Sequence, residues 1–450
     1  VSSLTGTEAA HPATIQERTR AHVLVSWSAQ KGINQIPIVE ARGSTLIAAD
    51  GTAYLDFSSG LINVNLGHGH PKIVRAIQEQ AARLCYVTPS FGSEPRAALA
   101  QALHKVSPGR SLTKTLFTTG GAEANESAIK IARLATGRQK ILTAYRSYHG
   151  ATYGAASAGG DNRRWAIEPG IPGIVRFFTP YPYRSPFGAS GDAEVQAALR
   201  HLEDVIGYEG PEYIAAILLE PVVGTNGVIV YPDGYLQGVR KLCDRYGLLL
   251  IFDEVMTGFG RTGRFWGSEN WGVVPDMMTF AKGVTSGYVP LGGVSVSQKV
   301  AEYFDDHTLW TGLTYSGHPL ACAAGVAAVA AYQEDGLLER GRALGQMLER
   351  SLRRLQDRHP SVGEVRGLGL FYGVELVKNR TTREMLVPWN SPGQGVTPEI
   401  ARALMARGVY TYGRWNVLFI APPLAITEDE IARGVEALDA ALEIADRAGG

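Results

Sequence analysis

Residues 248–293 read LLLIFDEVMTGFGRTGRFWGSENWGVVPDMMTFAKGVTSGYVPLGG, two apolar runs each ending on charge: LLLIFDEV carries Asp253 and Glu254, and MMTFA runs into Lys282. Neither run alternates apolar with polar residues, so each is expected to be a strand covered on both faces. KTLFT (114–118), KILTAY (140–145), IVRFF (174–178) and IAAILLEPV (214–222) have the same character. Helical text separates these runs, including HPKIVRAIQEQAARL (70–84) and EPRAALAQALHKV (94–106). Strands spaced by helices predict an α/β fold with a mostly parallel sheet. In such a sheet ligands sit at the carboxyl ends of the strands, where Asp253 and Lys282 fall.

Lys282 is the only cation in TFAKGVTSGYVPLGG. A lysine is rarely buried unpaired, so a surface position at a strand end is the plain reading. The alternative is an amine kept partly desolvated, which makes it a nucleophile near neutral pH. Gly258, Gly260 and Gly263 fit GxGxxG, but a dinucleotide fingerprint needs the first glycine at a strand-to-helix turn and a helix after the third. DEVMT intervenes and RFWGSENWG follows, so a nicotinamide site is rejected here.

The 450 residues carry 43 basic and 43 acidic side chains, which argues against a nucleic-acid surface. Three separated cysteines (Cys85, Cys243, Cys322) without CxxC spacing suggest buried, reduced thiols and neither a zinc site nor a disulfide framework. The longest apolar stretch, ACAAGVAAVAAY, is too short to span a bilayer. The N-terminus shows no basic segment followed by a long apolar core, so no signal peptide is expected. A cytoplasmic protein without membrane or metal is expected.

Residues 1 to about 30 read as a polar arm with a short amphipathic segment ending near Trp27. Asp50-Gly51 marks a hairpin. Residues 378–397 read as a long polar loop, and Thr427 with Glu430 as a capping-box start for a final helix. The expected organisation is an arm and part of a small domain over 1–65, a large domain over 66–328, and the rest of the small domain over 329–450.

TKTLFT leads into TGGAEANESAIKIAR, a glycine turn opening a helix. Gly120 and Gly121 allow close backbone approach, and N–H groups at the helix start favour a phosphate; a plain strand-to-helix turn reads equally well. In RSYHGAT, Tyr148 could stack on a planar ring, or the Tyr148-His149 pair could be structural. An amine, a carboxylate and an N–H cradle together are the protein parts that pyridoxal phosphate requires.

The chain resembles the class III (ω-amino acid) aminotransferases of the fold-type-I pyridoxal-phosphate enzymes over nearly its whole length. The resemblance is carried, in the family's order, by GTAYLDFSSGLINVNLGHGHP, TTGGAEANESAIKIAR, YRSYHGAT, ILLEPVVGTNGVI, LLLIFDEVMTGFGRTG, TFAKGVTSGYVPLGG and TYSGHPLACAA. It implies a large domain on a mostly parallel sheet and a smaller α+β domain. It implies that Lys282 forms the imine with pyridoxal 5'-phosphate and then moves the substrate proton, and that Asp253 pairs with the ring nitrogen. It further implies that Gly120, Gly121 and Ala122 hold the phosphate, that Tyr148 and Val255 pack the two ring faces, and that His149 and Glu220 lie beside the cofactor. Thr314 would reach the phosphate of a neighbouring subunit, making the active unit a homodimer. Ile62, Tyr148 and Arg414 would contact substrate.

Two departures stand out. The family's phosphate turn has serine where Gly121 stands, and Arg414 is displaced by about two residues, to beyond Tyr412, from the family's usual carboxylate-binding arginine; a solvent-facing strand residue is its plain reading. The implied reaction is ping-pong transamination from an amine, ω-amino acid or aminosulfonate donor to a 2-oxo acid, pyruvate by similarity to the taurine–pyruvate and β-alanine–pyruvate group. The alternatives are a lyase or decarboxylase of the same family and, remotely, a nicotinamide-linked oxidoreductase.

Overall fold

A computed structural model describes residues 12–449; the first eleven residues of the expected arm lie outside it. The central sheet has seven strands in the order Leu112–Thr118, Gly292–Ser297, Met277–Phe280, Leu249–Asp253, Ile214–Leu219, Lys140–Ala144, Ile174–Phe177. The six apolar runs read from sequence are six of these strands. The seventh, Gly292–Ser297, is the one strand that runs antiparallel to its neighbours. Its sequence, GGVSVS, hides it, because two glycines weaken a strand signal and here continue what reads as a turn. At Gly293 a Cβ would stand 2.6 Å from Phe280 and 2.9 Å from the Leu116 carbonyl, so the neighbouring strands require glycine there.

All six residues of Ile214–Leu219 are buried, as the unbroken apolar run requires. Each buried isoleucine or leucine among them stabilises the fold by about 1.5–3 kcal/mol. Helix Gly121–Thr136 packs across the sheet, turning Ala124, Ala128, Ile129 and Ala132 inward.

A second, mainly antiparallel sheet carries Val362–Leu368, Phe371–Asn379, Val417–Ile420 and Gly413–Arg414, with Glu384–Met385 attached. That short strand interrupts the expected 378–397 loop. A third sheet joins the two ends of the chain: the hairpin strands Thr45–Ala48 and Ala53–Asp56 meet at Asp50-Gly51, and Ala53–Asp56 pairs in parallel with Val409–Tyr410. The final helix, Glu428–Gly449, starts on the expected capping box, with Glu430 Oε2 accepting from Thr427 N at 2.8 Å and Thr427 Oγ1 from Glu430 N at 3.2 Å. Cys243 and Cys322 are buried, whereas Cys85 is exposed and corrects the expectation of three buried thiols. No described helix is long and apolar enough to cross a membrane.

Candidate active site

Five chain segments converge at the carboxyl ends of the central strands. Asp253 is the last residue of its strand, Glu220 directly follows Leu219, and Lys282 stands two residues beyond Phe280. Tyr148 and His149 follow Lys140–Ala144, and Thr119–Ala122 follow Leu112–Thr118. Together they line a cavity of about 510 Å³, within the roughly 300–1,000 Å³ typical of ligand sites.

Asp253 is held on both oxygens. Oδ2 lies 2.8 Å from His149 Nδ1 and accepts from Asn125 Nδ2 at 2.8 Å, while Oδ1 accepts from Val255 N at 3.0 Å. Asn125 is itself fixed, donating to the His149 carbonyl at 2.7 Å and accepting from Thr279 Oγ1 at 2.8 Å. A buried carboxylate surrounded by donors is a fixed negative charge aimed into the cavity.

Lys282 opens a short 3-10 turn with φ at 44°, the left-handed region that residues with a Cβ rarely adopt. Burial pulls its amine down to about 8, against the opposing charges of Asp253 and Glu220. Glu220 moves the other way. Burial pushes its carboxyl up to about 7, although its oxygens accept from Tyr148 N at 3.0 Å and Gly224 N at 2.8 Å. An amine and an acid that both change protonation near neutral pH suit proton transfer.

At the opposite end, helix Gly121–Thr136 points its start at the cavity. The N–H groups of Gly121 and Ala122 precede the first bond of the helix, Ala124 N to Gly120 O at 3.1 Å, so they are available to an anion. A Cβ on Gly121 would lie 2.9 and 3.0 Å from the two Val255 methyls. Val255 therefore leaves room at position 121 for glycine and not for a residue with a Cβ.

Several residues escaped the sequence reading. Asn125 is one helical turn beyond Gly121, and that spacing was the available signal. Arg163 stacks its guanidinium 3.6 Å over the Tyr148 ring and donates to Thr225 Oγ1 at 2.8 Å; Thr225 lines the cavity. Trp27 meets Tyr148 edge-on with centroids 6.2 Å apart. Nothing local marks either residue. Arg414 is not solvent-facing: it reaches Asp161 Oδ2 at 3.2 Å and Asn162 Oδ1 at 3.0 Å, within the group that holds Arg163. Ile62 does not line this cavity. Its side chain is buried in the core cluster with Met256 and Phe419, and its neighbour Asn63 takes the place on the wall. Thr314 is exposed and does not line this cavity.

The sequence profile of the family Aminotransferase class-III matches residues 27–442. The chain is a class III aminotransferase. It is a pyridoxal-phosphate transaminase of fold type I, moving an amino group from an amine donor to an oxo acid. Among solved structures, this aminotransferase resembles taurine:2-oxoglutarate aminotransferase of Bifidobacterium kashiwanohense in complex with PLP and glutamate, at 45% identity and TM-score 0.95 over 98% of this chain and 99% of that one. It also resembles an (S)-enantioselective ω-transaminase of Thermomicrobium roseum, at 39% identity and TM-score 0.93 over 97% and 100%. The taurine–pyruvate aminotransferase of Bilophila wadsworthia is 36% identical over 88% of this chain and 91% of its own. The aminotransferase's cavity fits its cofactor: one space holds an anchored carboxylate, an amine shifted toward its neutral form and an open helix start.

Proposed function

We propose that this aminotransferase prefers donors with a terminal amine at one end and a carboxylate or sulfonate at the other, with pyruvate as acceptor, and that it works as a homodimer. The observation that carries the donor class is a charge imbalance beside Tyr148. Arg163 and Arg414 both pair with the single carboxylate of Asp161, the latter at 3.2 Å. Two guanidinium groups on one buried acid leave one positive charge for a ligand, and a guanidinium fork suits a carboxylate or sulfonate. The taurine aminotransferases among its relatives support the same donor class.

Bound pyridoxal phosphate supplies a carbonyl that captures the donor amine and a ring that delocalises the electron pair left when a carbon-bound proton departs. The chain's residues do the rest. Gly121 and Ala122 would hold the phosphate with backbone N–H groups, and Tyr148 and Val255, which line the same cavity, would confine the ring. Asp253, fixed by His149, Asn125 and Val255 N, keeps a proton on the ring nitrogen. Lys282, its amine being partly neutral at pH 7, would take the proton from the donor carbon and return it to the cofactor carbon that carries the amino group. Arg163 orients the donor by its distal anion.

The homodimer reading is supported by a cluster of exposed large side chains around Thr314. Phe91 is 62% exposed, Trp310 75% and Tyr315 57%, and Tyr86 donates to the Thr314 carbonyl at 3.0 Å. Such a patch is characteristic of a surface that a partner covers, and Thr314 would there reach the partner's phosphate site. Sedimentation velocity at micromolar protein checks this; a monomer would refute it. For the donor, kcat/KM is compared across taurine, β-alanine, 4-aminobutyrate and 1-phenylethylamine in Arg163→Gln and the native protein. The expected loss is about tenfold or more for the three anionic donors, with the neutral arylalkyl amine little changed. Equal loss for all four would contradict the assignment.

A further inference from the structure

A second cavity of about 330 Å³ lies on the far side of the loop that carries Tyr148. Four aromatic side chains, Tyr145, Phe178, Tyr181 and Trp389, line it together with Ile229. Of its two charged lining residues, Arg184 and Arg146, the one set over these rings is Arg146. Its guanidinium stands 4.5 Å from the Trp389 ring centroid and 5.1 Å from that of Tyr181. Among the described residues it makes one hydrogen bond, a long one of 3.4 Å to the Asn226 carbonyl, and no ion pair.

The charges around it do not cancel. Glu375, fully buried, accepts from Arg184 Nε and Arg366 Nη1, each at 2.5 Å, and Glu364 pairs with the same Arg366 nitrogen at 2.6 Å. Burial alone would raise Glu375, yet Arg366 and Arg184 hold it down at about 2, so it is fully committed to them. Three guanidinium groups thus face two carboxylates, and the uncommitted one is Arg146. Arg184, which also lines this cavity, has its buried Nη2 without a hydrogen-bond partner. Unpaired donors of buried arginines are costly unless an acceptor reaches them.

We infer that this cavity is a second ligand site, separate from the catalytic one, that binds a small aromatic monocarboxylate with its carboxylate on Arg146 and its ring among Phe178, Tyr181 and Trp389. One carboxylate balances the local charge, and its flat body matches the aromatic walls.

The test is isothermal titration of benzoate into holoenzyme, native and as Arg146→Gln and Arg163→Gln, with benzamide as the uncharged comparison. The backbone at Arg146 is left-handed, φ 63°, and glutamine keeps Cβ and Cγ, so only the charged end changes. Saturable one-site binding is expected, weakened about tenfold to a hundredfold by Arg146→Gln and unaltered by Arg163→Gln. Trp389→Leu, which removes a wall, should weaken it as well and serves if Arg146→Gln does not fold; the visible cofactor band and melting temperature report folding. No saturable binding, equal affinity for benzamide, or a loss in Arg163→Gln equal to or greater than that in Arg146→Gln would overturn the inference.

Discussion

Alanine at Gly121 is the most confined change available in the cofactor site. Its Cβ would lie 2.9 Å and 3.0 Å from the Val255 methyls and 3.5 Å from Val255 Cβ, whereas unstrained carbon contacts begin at about 3.5 Å. Val255 cannot retreat freely. One side of it faces the cavity, and its N–H donates to Asp253 Oδ1 at 3.0 Å. The relaxation therefore narrows the space for the ring or tilts the carboxylate. Overpacking of this kind costs about 1–3 kcal/mol, which corresponds to roughly 5-fold to 150-fold weaker cofactor binding if the cost falls on the bound state. Titration of cofactor-free protein with pyridoxal phosphate, followed by its visible absorbance, measures the loss directly. The Val255→Ala background removes both methyls, so Gly121→Ala should cost little there, and the double-mutant cycle should show coupling of about 1 kcal/mol or more. Native affinity in Gly121→Ala, or a loss that Val255→Ala leaves unchanged, would refute the steric account of the glycine at this turn.

Lys282 in cofactor-free protein should titrate near 8, so about 9% of its amine is neutral at pH 7, against about 0.03% for an ordinary lysine. The pH profile of its modification by an amine-selective reagent, located by peptide mapping, checks this, and a midpoint near 10 would contradict it. Because the Asp253 charge raises that amine, Asp253→Asn should move the midpoint further down; an unchanged midpoint would show that the two groups are not coupled. Glu220, raised to about 7, binds its proton more tightly in the folded than in the unfolded chain. Its contribution to stability is present below about pH 4.5 and is lost as pH rises through 7. Denaturant unfolding of Glu220→Gln should therefore lack part of the native protein's decline over that window, and parallel profiles would refute the assignment.

Much of the fold was legible because the three middle strands, Ile214–Leu219, Leu249–Asp253 and Met277–Phe280, are buried along their whole length and read as largely apolar runs, while the three outer forward strands mix apolar and polar residues without strict alternation. Gly292–Ser297 was not legible. What defines it is contact with Phe280 and Leu116 on adjoining strands, which no local pattern reveals. In the site, Asp253 and Lys282 could be read because a charge at the end of a buried strand is costly without a purpose. Asn125 offered only its one-turn spacing from Gly121, and Arg163 offered nothing, since their roles exist only once distant segments meet: a helix against Asp253 in one case, the 161–163 turn against Tyr148 in the other. Arg414 was visible as a candidate, but its partner Asp161 lies 253 positions away. Ile62 lies in the core and its neighbour Asn63 on the cavity wall, because in a turn with left-handed backbone at Ser59 and Ile62 one residue decides between the two.

The central claim is amino transfer from an anionic donor in two separable halves. The direct measurement is the absorption spectrum of the holoenzyme with taurine or β-alanine and no acceptor, alongside the quantity of oxo product released. The visible band of cofactor joined to Lys282 should disappear with one equivalent of oxo product per site, and pyruvate should restore it with formation of alanine. A band that persists, or product that accumulates beyond one equivalent without any acceptor, would contradict transamination and point to lyase or decarboxylase chemistry in the same cavity.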